Sequence, residues 1–241
     1  MGLQDEATTK MIGIRDVFDL YVYWTLIIGI YVLMIMISAT ANKITSGPAG
    51  NLLLEIIWTL IPAAILVVLA IPSFRLVYAL DMYYPTVYTL SIIGNQWYWA
   101  YEMNGVGMEA YPVLLGEGEF GLLDTDIRIP VPVNVPIRLV VTSEDVIHSW
   151  TIPSLGVKID AIPNRINSAG ISIFRPGLYF GQCSELCGVL HSAMPISLEA
   201  GSISWFLGAL SLLSRDNPMG SGCGWGWWRT APVGGAWVWV V

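Results

Sequence analysis

Two thiols, an imidazole and a thioether lie within one short run of this 241-residue chain. The run is CSELCGVLHSAMP, residues 183–195, and the only other histidine is His148. Sulfur and imidazole nitrogen together suit copper, whereas magnesium and calcium prefer oxygen. A single blue-copper ion takes two histidines, one cysteine and a weak methionine. The second thiol exceeds that set, and it indicates a dinuclear site in which two thiolates bridge two coppers, each with its own histidine.

The same side chains admit other interpretations. Cys183 and Cys187 could form a disulfide or be buried as small hydrophobic residues, because free cysteine is often buried. Zinc accepts two thiolates and two imidazoles, but it leaves Met194 unexplained. Cys183, Cys187 and His191, spaced by four, would also line one face of a helix. Gly188 and the proline that closes the run instead favour a loop between two strands, and the donor set favours copper over zinc.

The composition indicates a membrane-anchored protein that carries this site. The chain is 55% hydrophobic and 12% charged, with a mean hydropathy of +0.62, which is too apolar for an ordinary soluble domain. No charged residue occurs from Leu20 to Asn42 or from Ile56 to Phe74. Each stretch is close to the ~20 residues that cross ~30 Å of hydrocarbon. We therefore predict transmembrane spans at about 20–42 and 56–74, joined by a short turn into an antiparallel hairpin within residues 1–76.

A β-rich domain is predicted to follow the hairpin and to cover residues 77–207. Short β-type segments alternate there with turn residues, which is typical of a sandwich or a small barrel. The candidate strands are 87–93, 97–102, 127–133, 137–142, 171–174, 178–180 and 196–198. Residues 208–241 form a Gly- and Trp-rich tail that is too short and too interrupted by glycine to span a membrane, and its Cys223 has no evident partner.

Several blocks of sequence occur together in one order, and together they resemble a known family. They are residues 2–5, 55–63, 94–102, 122–126, 144–150, 153–156, 160–161 and 183–195. Over roughly residues 2–207 the chain resembles cytochrome c oxidase subunit II, the copper A subunit of haem-copper terminal oxidases. That resemblance implies a two-helix transmembrane hairpin followed by an all-β, cupredoxin-like Greek-key sandwich. Two competing families fit this chain less well. Quinol oxidase subunits II share the hairpin and sandwich but lack the copper ligands, and nitrous oxide reductase carries a similar copper site on a longer soluble chain.

The resemblance also implies a role for each residue of the candidate centre. Cys183 and Cys187 correspond to bridging thiolates of a dinuclear copper A centre, and His148 and His191 to its terminal imidazoles. Met194 corresponds to the weak ligand of one copper. Glu185 corresponds to a residue whose backbone carbonyl binds the other copper and whose carboxylate binds Mg²⁺ shared with subunit I.

By the same resemblance, electrons enter from cytochrome c through Trp97 and pass to haem in subunit I, which supports dioxygen reduction and proton translocation. The net charge of −7 predicts steering of a basic carrier, with Glu102, Asp126 and Asp145 as the expected docking acids. Glu55 resembles a carboxylate at the entrance of a proton path, although a helix dipole explains an acid there equally well.

The resemblance places the chain in the mitochondrial inner membrane, with the copper domain in the intermembrane space; the bacterial plasma membrane is the alternative. A start so close to the family's mature terminus suits an organelle-encoded subunit. Basic residues beside the spans are too few to decide orientation. Expected partners are subunit I, subunit III and further oxidase subunits, cytochrome c and the lipid bilayer, with no nucleic acid. The alternative function is a membrane-anchored protein with a structural zinc site and no redox role.

Overall fold

The computed structural model describes residues 2–42, 50–82, 85–113 and 120–216, which form two compact units. The helical unit comprises residues 9–82. The β unit comprises the residues before Thr9 and those that follow the helical unit. Of the turn predicted at residues 43–55, residues 43–49 lie outside the described residues, and α2 already begins at Leu52. Most of the predicted tail, with Cys223, also lies outside the described residues.

Two long helices, α1 (Thr9–Ala41) and α2 (Leu52–Asp81), make up the helical unit. Both are long and apolar enough to cross a membrane. They extend beyond the predicted spans because a charged residue ends an apolar run without ending a helix. At 1.5 Å per residue they measure about 50 and 45 Å, more than the ~30 Å hydrocarbon core. The side chain of Asn51 caps α2 by accepting a hydrogen bond from the Leu54 amide at 3.2 Å.

Contacts between the two helices confirm the antiparallel hairpin. The Lys10 ammonium, at the start of α1, donates to the Leu80 carbonyl at the end of α2 over 2.6 Å. Further along, the hydroxyls of Tyr21 and Ser73 lie 3.1 Å apart. Most side chains of both helices are apolar and exposed, so the hairpin presents hydrocarbon to its surroundings.

The described residues of the β unit form ten strands in three sheets. β3, β2, β1, β5 and β8 form the first sheet, β4, β10 and β9 the second, and β6 and β7 a two-stranded ribbon. β1 pairs with β5, and β4 with β10, in parallel; the other pairs are antiparallel. The strands are β1 Tyr88–Asn95, β2 Tyr98–Met103, β3 Val106–Ala110, β4 Ile129–Pro132, β5 Ile137–Ser143, β6 His148–Ile152, β7 Val157–Ala161, β8 Asn167–Ile171, β9 Gly177–Gln182 and β10 Pro195–Gly201.

Six of the seven predicted strands coincide with observed ones to within a few residues. The prediction at 171–174 is wrong, because β8 ends at Ile171 and consists mainly of the small or polar residues Asn-Ser-Ala-Gly, which carry no strand pattern. β3, β6 and β7 were not predicted. A third helix, α3 (Ile203–Asp216), packs on the sandwich through the buried Phe206 and Leu210, and so continues past the predicted domain end at 207.

The start of the chain belongs to the β unit rather than to the helical unit. The Ala7 amide donates to the Ser154 carbonyl at 3.1 Å, and the Ala7 carbonyl accepts from the Phe174 amide at 3.1 Å. The Thr8 hydroxyl donates to the Leu155 carbonyl at 2.7 Å. Ala7 is fully buried. The segment thus crosses the sandwich surface before the chain enters α1.

Candidate metal centre

The candidate ligands lie at one end of the sandwich, in the loop between β9 and β10 and at the first residue of β6. Antiparallel pairing of Gln182 with Pro195 closes the loop, which contains one short turn of 3₁₀ helix, His191–Ala193. The interpretation of this run as a loop between strands is therefore confirmed. His148 begins β6, next to Gly94 of β1, where an added Cβ atom would lie 2.8 Å from the imidazole. Only glycine leaves room for the ring at that point.

Each thiol of the loop faces its own imidazole. The sulfurs of Cys183 and Cys187 lie 3.9 Å apart. His148 Nδ1 lies 3.9 Å from the Cys183 sulfur, and His191 Nδ1 lies 3.5 Å from the Cys187 sulfur. Both cysteines and His148 are buried, and their ligand atoms lie within 4.8 Å of one another. The donors thus form two Cys–His pairs in sulfur–sulfur contact, and His191 also lies close enough to Cys183 to help lower the pKa of that thiol.

Backbone and side-chain groups of the same loop complete the surroundings of the thiols. The Glu185 carbonyl oxygen lies 3.4 Å from the Cys183 sulfur, while the Glu185 side chain is exposed. Met194 is buried, and its carbonyl accepts the Cys183 amide at 3.0 Å. Two thiols, two imidazoles and a carbonyl meet here, and these donors, together with the buried Met194 of the same loop, fit copper.

A carboxylate that binds no thiol positions His148. Asp145 Oδ1 lies 2.8 Å from His148 Nε2 and accepts the Val146 amide at 2.6 Å. Its second oxygen accepts the Gln96 amide at 2.6 Å. A carboxylate on Nε2 leaves Nδ1 free to bind metal, as is usual for histidine ligands. Sequence reasoning assigned Asp145 to docking and missed this contact, although its position three residues before His148 was a usable signal.

Comparison with known proteins agrees with this geometry. Residues 1–76 match the family described as cytochrome C oxidase subunit II, transmembrane domain, and residues 88–201 match the family described as cytochrome C oxidase subunit II, periplasmic domain. The chain belongs to the cytochrome c oxidase subunit II family. Two relatives, both named cytochrome c oxidase subunit 2, are 42% identical to it. The protein of Simulium vittatum aligns over 90% of this chain and 97% of its own, and that of Drosophila lowei over 86% and 93%.

Solved structures match the β unit of this subunit II chain. The periplasmic domain of subunit II of cytochrome oxidase from Bradyrhizobium japonicum is 35% identical, with a TM-score of 0.54, and covers 56% of this chain and 99% of its own. A mixed disulfide intermediate between a thioredoxin-like protein and subunit II of cytochrome c oxidase contains a domain that is 34% identical, with a TM-score of 0.50, over 57% and 98%. The chain is thus a membrane-anchored, electron-transferring subunit of a haem-copper terminal oxidase with a cupredoxin-like domain.

The two thiols of this subunit II chain differ in acidity. Burial raises the pKa of Cys183, but hydrogen bonds from His148 and from backbone groups outweigh it and lower the pKa to about 6. Burial and the neighbouring Cys183 charge raise the pKa of Cys187 to about 12. For His148, burial lowers the pKa, and its bonds to Cys183 and Asp145 more than reverse that effect. The metal-free pair therefore holds one negative charge close to the His148 ring.

The remaining predicted residues lie outside this cluster. Trp97 is partly buried at the β1–β2 turn, and an added Cβ atom at Gly188 would lie 3.0 Å from its ring. Glu102 is exposed on β2. Asp126 is exposed and accepts two backbone amides, those of Tyr111 at 2.7 Å and Ile127 at 2.8 Å. The acid predicted at a proton path, Glu55, lies in the first turn of α2, in the helical unit.

Proposed function

We propose that the loop and His148 hold a dinuclear copper A centre. Cys183 and Cys187 would supply the thiolates shared by the two ions, and His148 and His191 would each hold one ion. Met194 would be the weak ligand of one ion, and the Glu185 carbonyl would bind the other. One observation carries the proposal: two thiols 3.9 Å apart each face a separate imidazole. A structural zinc site is disfavoured by membership of an electron-transferring family.

Copper bound by this set would accept and release one electron at a time. The chain's own residues keep the donors in place, because buried thiols and a carboxylate-bound imidazole have little room to rearrange. A nearly rigid donor set lowers the reorganisation that accompanies each electron. No bond to substrate is made or broken by this subunit.

The partners follow from the proposed path of the electron. Cytochrome c delivers it at Trp97, which packs against the loop residue that follows Cys187. Haem in subunit I receives it and supports dioxygen reduction and proton translocation there. Exposed acids of the β unit, Glu102, Asp126 and Asp145, guide the basic carrier toward Trp97. Subunit III and further oxidase subunits complete the complex.

Two further roles are proposed at carboxylates. The exposed Glu185 side chain binds Mg²⁺ together with ligands from subunit I. Glu55 stands at the entrance of a proton path into subunit I; the hydroxyl of Thr59, one turn later, donates to the Glu55 carbonyl at 2.8 Å.

We further propose that the chain lies in the mitochondrial inner membrane, with the copper domain in the intermembrane space. The two relatives that are 42% identical over most of the chain are insect proteins, which supports a mitochondrial location. Fractionation of the source cells into mitochondria and other membranes tests it.

Metal analysis of the purified chain tests the centre itself. Copper loading is expected to give two ions per chain and the electron paramagnetic resonance spectrum of one unpaired electron shared by both. Cys187→Ser is expected to abolish that spectrum. Met194→Leu is expected to keep most of the copper and shift the reduction potential, because an axial thioether tunes a copper site more than it holds it. One copper per chain, or a preference for zinc, would overturn the proposal.

A further inference from the structure

Gln96 joins the two segments of the chain that carry the candidate ligands. Its backbone amide donates to Asp145 Oδ2 at 2.6 Å, and the other oxygen of Asp145 holds His148 Nε2 at 2.8 Å. Its side-chain amide donates to the carbonyl of Cys187 at 2.7 Å, across 91 residues of sequence. One residue therefore contacts both the loop with the thiols and the acid that orients His148.

The loop passes directly against the ring of Trp97, the residue that follows Gln96. Gly188 has a φ of +127°, and a Cβ atom there would lie 3.0 Å from Trp97 Cζ2, 3.2 Å from Trp97 Nε1 and 3.1 Å from Gln96 Nε2. A Cβ atom at this position would require the indole or the Gln96 amide to give way by a few tenths of an ångström, and the φ value disfavours any side chain there. The absence of a side chain thus brings the backbone next to Cys187 into contact with the indole.

The indole has no polar contact of its own that would fix this approach. Trp97 Nε1 is buried and finds no hydrogen-bond partner within the described parts of the chain. The position of the ring relative to the loop therefore depends on its packing and on the anchoring of residue 96. The side-chain amide of Gln96 supplies a directional hydrogen bond to the loop, at the Cys187 carbonyl.

We propose that Gln96 is a positioning residue for electron entry, holding Cys187 and Gly188 against Trp97. This inference rests on the proposed function. The hydrogen bond to the Cys187 carbonyl holds the loop at its contact with Trp97. The hydrogen bond to Asp145 links the same residue to His148, so Trp97 and both ligand-bearing segments move together. Electron transfer across a non-bonded gap weakens steeply with distance, and a positioned contact has to be held within about 0.5 Å to stay productive.

The test compares Gln96→Met with Gln96→Glu in the intact oxidase. Methionine keeps the length and bulk of the side chain but has no N–H group, and glutamate places an acceptor against the Cys187 carbonyl. Trp97→Phe serves as the reference variant for impaired electron entry. Gln182→Met is the matched control, because Gln182 also borders the loop while its exposed side chain has no hydrogen bond among the described residues.

Both Gln96 variants are expected to bind cytochrome c as the wild type does, and to transfer electrons within the complex about tenfold more slowly. Flash photolysis of the preformed complex measures that rate, and titration measures the binding. The control is expected to match the wild type in both. A wild-type transfer rate in Gln96→Met would overturn the proposal.

A second measurement needs neither copper nor activity. Hydrogen exchange of the backbone amides at 186–190, in the metal-free full chain, is expected to speed up in Gln96→Met and to stay unchanged in Gln182→Met. Unchanged exchange in Gln96→Met would overturn the positioning role even if that variant failed to load copper. If instead the wild type bound no copper pair while Gln96→Met still exchanged faster, the proposed function would fail and the positioning of the loop by Gln96 would stand.

Discussion

Two acids of the same residue type have different roles in this protein, and only their contacts distinguish them. Asp145 and Asp126 are both exposed acids, yet their contacts differ. Asp126 accepts only backbone amides of its own neighbourhood, from Tyr111 and Ile127. Asp145 holds a histidine of the candidate centre on one oxygen and the Gln96 amide on the other. Asp126 can therefore act through its charge alone, whereas Asp145 also holds His148 in position.

Neutralising these two acids should therefore have different effects. In Asp126→Asn one oxygen still accepts both amides, so we expect slower association with cytochrome c, a flatter dependence on salt and an unchanged copper spectrum. In Asp145→Asn an NH₂ group faces either the Gln96 amide or the His148 and Val146 donors, so we expect a shifted copper spectrum and reduction potential. Stopped-flow kinetics across ionic strength and spectroscopy of both variants measure this. Identical spectra in the two variants would contradict the supporting role of Asp145.

Copper affinity should fall as the solution becomes more acidic. Metal binding needs ionised thiols and neutral imidazoles. At neutral pH Cys187 still carries its proton, because its pKa is raised to about 12, and His148 with its raised pKa retains a proton more readily than usual. Below a pH of about 6 Cys183 is protonated as well, so a further proton has to leave. Competition with a chelator should show a steeper loss of affinity below that pH, and a constant affinity would contradict it.

Among the structural elements, β6 and β9 determine where the ligands meet. β6 carries His148 at its start, and β9 leads into Cys183. Gly181 of β9 lies so close to β6 that an added Cβ atom would be 1.8 Å from the Thr151 carbonyl oxygen. The approach of these two elements requires the absence of a side chain at that position.

Gly181→Ala should lower the unfolding free energy of the metal-free β unit by more than about 2 kcal/mol, because the backbone of β6 or β9 has to move. Gly107→Ala on β3 is the matched control. An added Cβ atom there meets nothing within 4 Å, so we expect a change within about 0.5 kcal/mol. Denaturant unfolding of the full chain, followed by tryptophan fluorescence, gives both values. Equal stability of the two variants would refute the close approach.

At the scale of the whole molecule, the helical unit is inserted into the β unit along the chain. Ala7 and Thr8 contact the sandwich before α1 begins, and the chain returns to the β unit only after α2. The N-terminal segment fills hydrogen-bond positions at Ser154, Leu155 and Phe174 that no later residue of the described chain occupies. A β domain defined only by the residues after the hairpin lacks this segment.

Deleting residues 2–8 should destabilise the β unit. The carbonyls of the buried residues Ser154 and Leu155 would lose their partners, and each buried unpaired group costs about 1–3 kcal/mol. A chain that lacks only residues 2–5, which are all exposed, is the control and should unfold like the wild type. Thermal unfolding and limited proteolysis of the purified chains measure the difference. A deletion of 2–8 that melted at the wild-type temperature would show that the segment adds no stability.

The sequence by itself determined the features that depend on residue type and local order. Uncharged apolar runs predicted the helical hairpin, because a membrane span needs about 20 such residues. Alternating strand patterns located six strands, and two thiols beside a histidine and a methionine indicated copper chemistry within one loop. The small and polar β8, by contrast, carries no pattern, since pairing with β5 and not propensity makes it a strand.

Only the tertiary structure decided which of these groups meet. The pairing of His148 with Cys183 spans 35 residues, and the contact of Gln96 with Cys187 spans 91. The role of Asp145 as a support for His148 and the docking of Ala7 on the sandwich arise in the same way. Such contacts follow from strand register and from the close approach that Gly94, Gly181 and Gly188 permit. Local sequence patterns encode neither, because each contact depends on where distant strands are placed by the packing of the whole core.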